Sequence, residues 1–136
     1  MPDVELLSGS TILIVDDQHD NIIVAQTVLE FHGARVYIAR NGQEGLALLE
    51  TIQPTAILLD LSMPVMNGWE MIEHLRARPD LTTVPVIAVT AHAMHGDRYR
   101  VLQAGFDEYV AKPYDIHDLV KRVVQAINRK YMELSG

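Results

Sequence analysis

Cysteine is absent from this 136-residue chain, which excludes disulfides, thiolate nucleophiles and thiolate metal sites. A reducing compartment is compatible with that absence. No apolar run approaches the roughly 20 residues of a membrane span. The opening "MPDVELLSGS" has neither the basic start nor the apolar core of a secretory signal. A cytoplasmic protein without membrane insertion is therefore expected. Basic residues are scarce, 11 against 18 acidic, for a formal net charge of -7. That balance argues against a nucleic-acid binder that works by neutralising phosphates, and it fits cationic partners. Internal repeats, low-complexity tracts and long linkers are also missing, so one compact domain is expected.

What is present is apolar and alternating. Residues of the apolar class make up 49% of the chain, enough for a packed core at this length. Five apolar runs read as strands: 11–16 "TILIVD", 34–39 "ARVYIA", 56–60 "AILLD", 85–90 "PVIAVT" and 108–112 "EYVAK". Between them lie segments with helical spacing. The clearest is the last, where Ile116, Leu119, Val120, Val123, Val124, Ile127 and Tyr131 form one stripe. Asp115, Asn41 and Asn67 stand where N-caps belong, with Asp118, Glu44 and Glu70 three residues on; Gly33 and Gly105 stand at C-caps. Strict βα alternation predicts an α/β, flavodoxin-like, doubly wound fold with five parallel strands and five helices. Runs one, three and four are almost wholly apolar, as central strands are, whereas two and five carry Arg35, Tyr37, Glu108 and Tyr109. The order 2-1-3-4-5 puts the polar pair at the edges.

In such sheets ligands bind beyond the C-terminal strand ends. Those positions hold Asp16 and Asp17, Asp60, Thr90 and Lys112. At roughly 4 Å separation and an effective dielectric near 20, each pair of carboxylates repels by about 4 kcal/mol. One lysine cannot offset three such pairs, so the cluster keeps a proton or binds a divalent cation. Oxygen-only ligands suit Mg²⁺, with Mn²⁺ also acceptable. A carboxylate left beside the cation could then act as a nucleophile on a phosphoryl group.

The ordered set "VDD" (15–17), "LLDLSMPVMNG" (58–68), "VTA" (89–91) and "AKP" (111–113) resembles the receiver domain of two-component response regulators. The resemblance covers about residues 11–130, leaving 1–10 as a flexible N-terminal arm and 131–136 as a C-terminal tail. It implies that Asp60 takes a phosphoryl group from a histidine kinase or histidine phosphotransfer protein. Asp16, Asp17, Asp60 and the Ser62 carbonyl would hold Mg²⁺, and Thr90 and Lys112 would contact the phosphoryl oxygens. A cis Lys112–Pro113 bond is implied as well. Thr90 and Tyr109 would form the switch, with a helix 4–strand 5–helix 5 surface presented to a downstream protein target. Such a protein is regulatory rather than an enzyme, catalysing only its own phosphoryl transfer and slow hydrolysis. Because the chain stops where the fifth helix does, it is expected to be a stand-alone receiver or one excised from a larger regulator.

Two other functions compete. A haloacid-dehalogenase-like phosphatase also uses a strand-end aspartate with Mg²⁺, but needs an acid two residues on, where Ser62 stands. A constitutive docking module of the same fold would need no intact phosphorylation site. "HAMH" (92–95) reads as a solvated loop and helix start rather than a metal site, and His92 holds the family position two past the threonine. Met63, Met66 and Met71 read as adaptable packing, and Trp69 as a reporter near the site.

Overall fold

The computed structural model describes residues 6–91 and 97–135. Five parallel strands, β1 (Thr11–Val15), β2 (Arg35–Ala39), β3 (Ala56–Asp60), β4 (Val86–Thr90) and β5 (Glu108–Ala111), are hydrogen-bonded in the order β2-β1-β3-β4-β5. They alternate with α1 (His19–Phe31), α2 (Gly42–Leu48), α3 (Gly68–Ala77), α4 (Asp97–Ala104) and α5 (Ile116–Ser135). β3 and β4 are buried along their whole length and β1 all but its first residue, while β2 and β5 keep exposed positions. The apolar composition of the three central strands follows from burial on both faces.

Alternation along the strands divides the core in two. Ile12, Ile14, Leu58, Ile87 and Val89 pack with α1 and α5, through residues such as Leu29 and Val123. Leu13, Val15, Ile57, Leu59, Val86 and Ala88 pack on the other face with α3 and α4, through Ile72, Leu75 and Val101. The expected caps form. Asn41 accepts the Glu44 N–H and Asp115 accepts the Asp118 N–H, at 2.9 and 3.0 Å. Asn67 and Glu70 make a reciprocal capping box. Gly33 and Gly105 adopt the left-handed φ values of 97° and 112° that end α1 and α4.

The structure departs from expectation at both ends. Residues 6–10 are not a loose arm: Leu7 is 1% exposed, and its N–H donates to the His32 carbonyl at 2.8 Å. The Leu7 side chain packs with the α1 residues Val28 and Leu29, a better environment than water, while its neighbour Leu6 stays exposed. At the other terminus α5 continues to Ser135, so most of the expected tail is helical. "HAMH" (92–95) and residues 1–5 lie outside the described residues.

Candidate functional site

The ladders of β1 and β5 stop at Val15 and Ala111, one residue short of expectation. Asp16 and Lys112 thus occupy the first positions past the sheet, still tied to it by Asp16 N–H to the Ala39 carbonyl and Lys112 N–H to the Thr90 carbonyl. Asp60 is the last residue of β3 and is 3% exposed. Its Oδ1 accepts the Ser62 N–H at 3.0 Å, and its Oδ2 accepts from Lys112 Nζ at 3.1 Å. The same ammonium lies 3.1 Å from Asp16 Oδ2 and donates to Gln18 Oε1 at 3.0 Å. Three acceptors surround a group with three protons. Asp16 Oδ1 in turn accepts the Gln18 N–H at 2.9 Å, at the start of α1.

Asp17 is exposed and completes an acidic triad whose oxygens lie within 4.8 Å of one another. A small octahedral cation with oxygens at about 2.1 Å spans about 4 Å between opposite ligands, so the donor set fits with little movement. Three carboxylates against one ammonium leave an uncompensated negative charge for such an ion to take up. Asp60 itself has its pKa raised to about 6. Burial is the main cause and the Asp16 charge adds to it, while the Ser62 N–H and Lys112 oppose the rise.

The segment that follows Asp60 is tightly constrained. The N-terminus of α3 approaches β3 so closely that a Cβ on Gly68 would lie 2.4 Å from the Asp60 carbonyl oxygen. Only glycine fits there. Between them Val65 has φ 68°, an unfavourable conformation for a β-branched residue, with its side chain 74% exposed. The Lys112–Pro113 peptide bond is cis, as expected.

The structure thus brings Asp16, Asp17, Asp60, Ser62 and Lys112 together. Thr90 ends β4, one rung beyond the Asp60–Val89 pair, and is 7% exposed. Tyr109 pairs with Ala88 in the ladder and packs, half-buried, in the α3–α4 side of the core. Trp69 sits edge-on to Phe106 at 5.9 Å and under Arg100 at 5.0 Å, joining α3 to α4. Two residues were not anticipated. Gln18 shares Lys112 with the acids, and Tyr114 lies close enough to Asp16 and Asp60 that burial first, then both charges, push its hydroxyl pKa up.

The doubly wound sheet gathers three carboxylates and one lysine at its switch-point strand ends, and the chain belongs to the response regulator receiver domain family, whose model matches residues 12–124. It is 34% identical to the polar-differentiation response regulator DivK of Brucella anthropi, over 83% of this chain and 92% of that protein. It is likewise 34% identical to the sensor histidine kinase GacS of Pseudomonas protegens, over 84% of this chain but 13% of the kinase. The receiver domain of sensor histidine kinase PA1611 from Pseudomonas aeruginosa, solved with magnesium in its active-site cleft, superposes with a TM-score of 0.79. That match has 36% identity and covers 89% of this chain and 99% of the other. The family is regulatory and serves two-component signalling. The dehalogenase-like alternative is set aside by this membership, and position 62 offers Asp60 a backbone N–H rather than a second acid.

Proposed function

We propose that Asp60 is the phosphoryl acceptor of the chain, and that residues 11–130 form the phosphorylated unit. The observation that carries this is a buried strand-end carboxylate held between a lysine and two further acids. An Asp60 oxygen attacks the phosphorus of a phosphohistidine on a kinase or phosphotransfer protein. The P–N bond breaks, and its electron pair stays on the imidazole. Asp16, Asp17, Asp60 and the Ser62 carbonyl are the ligands for a divalent cation, Mg²⁺ or Mn²⁺, which when bound neutralises charge on the transferring group.

Formation of the acyl phosphate removes the carboxylate charge that Asp60 shares with Lys112, so the ammonium turns to the new phosphoryl oxygens. Thr90 donates its hydroxyl to another. The local charge becomes about -1.5 to -2, with several strong acceptors where one carboxylate stood. The displacement of Thr90 gives Tyr109, on the same sheet face, room to rotate inward. The surface of α4, β5 and α5 then reports the change to a cytoplasmic protein target. The chain itself turns over no substrate beyond its own phosphoryl group, which it loses slowly to water.

Intact mass after incubation with acetyl phosphate and Mg²⁺ tests the reading, with Asp60→Asn and a chelator as controls. One added phosphoryl group that requires both Asp60 and the cation supports it. No adduct on the wild type, together with no Trp69 fluorescence response to beryllofluoride, would leave only a constitutive docking role. The switch fails separately if phosphorylated and unphosphorylated forms share backbone chemical shifts over residues 90–115.

A further inference from the structure

Charge is unevenly divided along the chain. Residues 1–96 hold 4 basic and 12 acidic side chains, residues 97–136 hold 7 and 6, a net of -8 against +1. Three guanidiniums of the second group converge on a single carboxylate. Glu108, which opens β5, is 2% exposed. Its Oε1 accepts from Arg122 Nη1 at 2.9 Å and lies 3.9 Å from Arg98 Nη2, and its Oε2 accepts from Arg129 Nη2 at 3.2 Å. Arg98 belongs to α4 and the others to α5, so Glu108 ties two helices across the edge strand.

One carboxylate cannot use the donors of three guanidiniums, each of which offers five N–H groups. Arg98 and Arg129 are 58% and 50% exposed, which leaves donors within reach of a second acid. Arg122 also binds Asp118 at 3.2 Å, and the two carboxylates outweigh burial to raise its pKa. Leu102, exposed and one helical turn beyond Arg98, adds an apolar contact on the same face of α4.

We propose that the face formed by α4, β5 and α5 docks an acidic segment of a partner protein, pairing its carboxylates with Arg98, Arg122 and Arg129 and an apolar side chain with Leu102. The inference rests on this face being the read-out surface of the phosphorylated unit. Glu108 holds the Arg122 and Arg129 guanidiniums in place before the partner arrives, so these two lose little side-chain freedom on binding. An extended polyanion is disfavoured, because Glu108 and Asp118 stand within the patch and the rest of the molecule is strongly acidic. The Arg98–Glu108 contact is the longest of the three, so a shift of α4 alters the spacing the partner meets.

The test is an amide chemical-shift titration of the full chain, before and after acetyl phosphate and Mg²⁺, with a synthetic peptide of alternating glutamate and leucine. A lysine–leucine peptide is the control. Shifts should concentrate at residues 98–102, 108–111 and 118–129, and Arg98→Gln with Arg129→Gln should weaken binding about tenfold or more. Shifts elsewhere, binding unchanged in the double variant, or displacement of the peptide by a single-stranded oligonucleotide would each overturn the proposal. Mass spectrometry of the same samples separates the two readings. A phosphorylated chain that binds no acidic peptide in either form defeats the docking alone; a chain that binds the peptide but takes no phosphoryl group defeats the receiver chemistry alone.

Discussion

Asp60 carries a cost that the metal-free protein bears at neutral pH. Its carboxyl keeps a proton up to about pH 6 in the fold, against an ordinary value of 3.8. Between those values the folded state binds more protons than the unfolded one, so this group's contribution to stability is full below about pH 4 and declines as pH rises through 6. Asp60→Asn removes the ionisation. Discounted for solvent screening and the retained lysine, the variant should gain about 1–2 kcal/mol over wild type at pH 7 in chelator, and nothing at pH 4. Urea unfolding at the two pH values measures this. A few residues away, Val65 occupies left-handed backbone that its branched side chain opposes. Val65→Gly should raise stability by about 1 kcal/mol, net of the glycine's extra freedom when unfolded. Thermal unfolding reads the gain, and an unchanged midpoint would mean the loop accommodates valine without strain.

At the scale of elements, the helix starts were the most legible features. Asn41, Asn67 and Asp115 each announce themselves by a short polar residue before an amphipathic stretch, and each accepts the expected N–H. Asn67→Ala removes the side-chain half of the capping box at the helix that flanks Asp60, and leaves the backbone N–H of position 67 to donate to Glu70. A loss of about 1 kcal/mol is expected, with a disproportionate rise in hydrogen exchange at Gly68–Met71. The strand order was legible too, since edge and central strands differ in composition for the reason that they differ in burial. Gln18 and Tyr114 were not. Both reach the site from loop positions with no periodicity, through contacts made only once the chain is folded. Leu7 was misread because the few apolar residues of 1–10 follow neither a helical nor a strand period, yet the space beside His32 admits it.

For the whole molecule, cation and proton compete for one acidic cluster. A ligand that binds only the folded state at a hundred times its dissociation constant stabilises by about 2.7 kcal/mol. Mg²⁺ should therefore raise the thermal midpoint at pH 7.5, and its apparent affinity should fall as pH drops below about 6, where Asp60 is protonated. Calorimetric titration at both pH values checks the coupling; pH-independent affinity would place the ion away from Asp60.

The two packed layers on either side of the sheet have separate residents. By the alternation of the strands, Asp16 and Asp60 belong to the α1–α5 side, whereas Thr90 and Tyr109 belong to the other. Five close-packed strands are an unyielding partition, with no opening for a side chain to pass. The proposed phosphorylation event and the proposed aromatic rearrangement thus occur in different rooms. Traffic between them runs around the rim, past the last rung of β4 and β5, where Thr90 and Lys112 stand as the doorway.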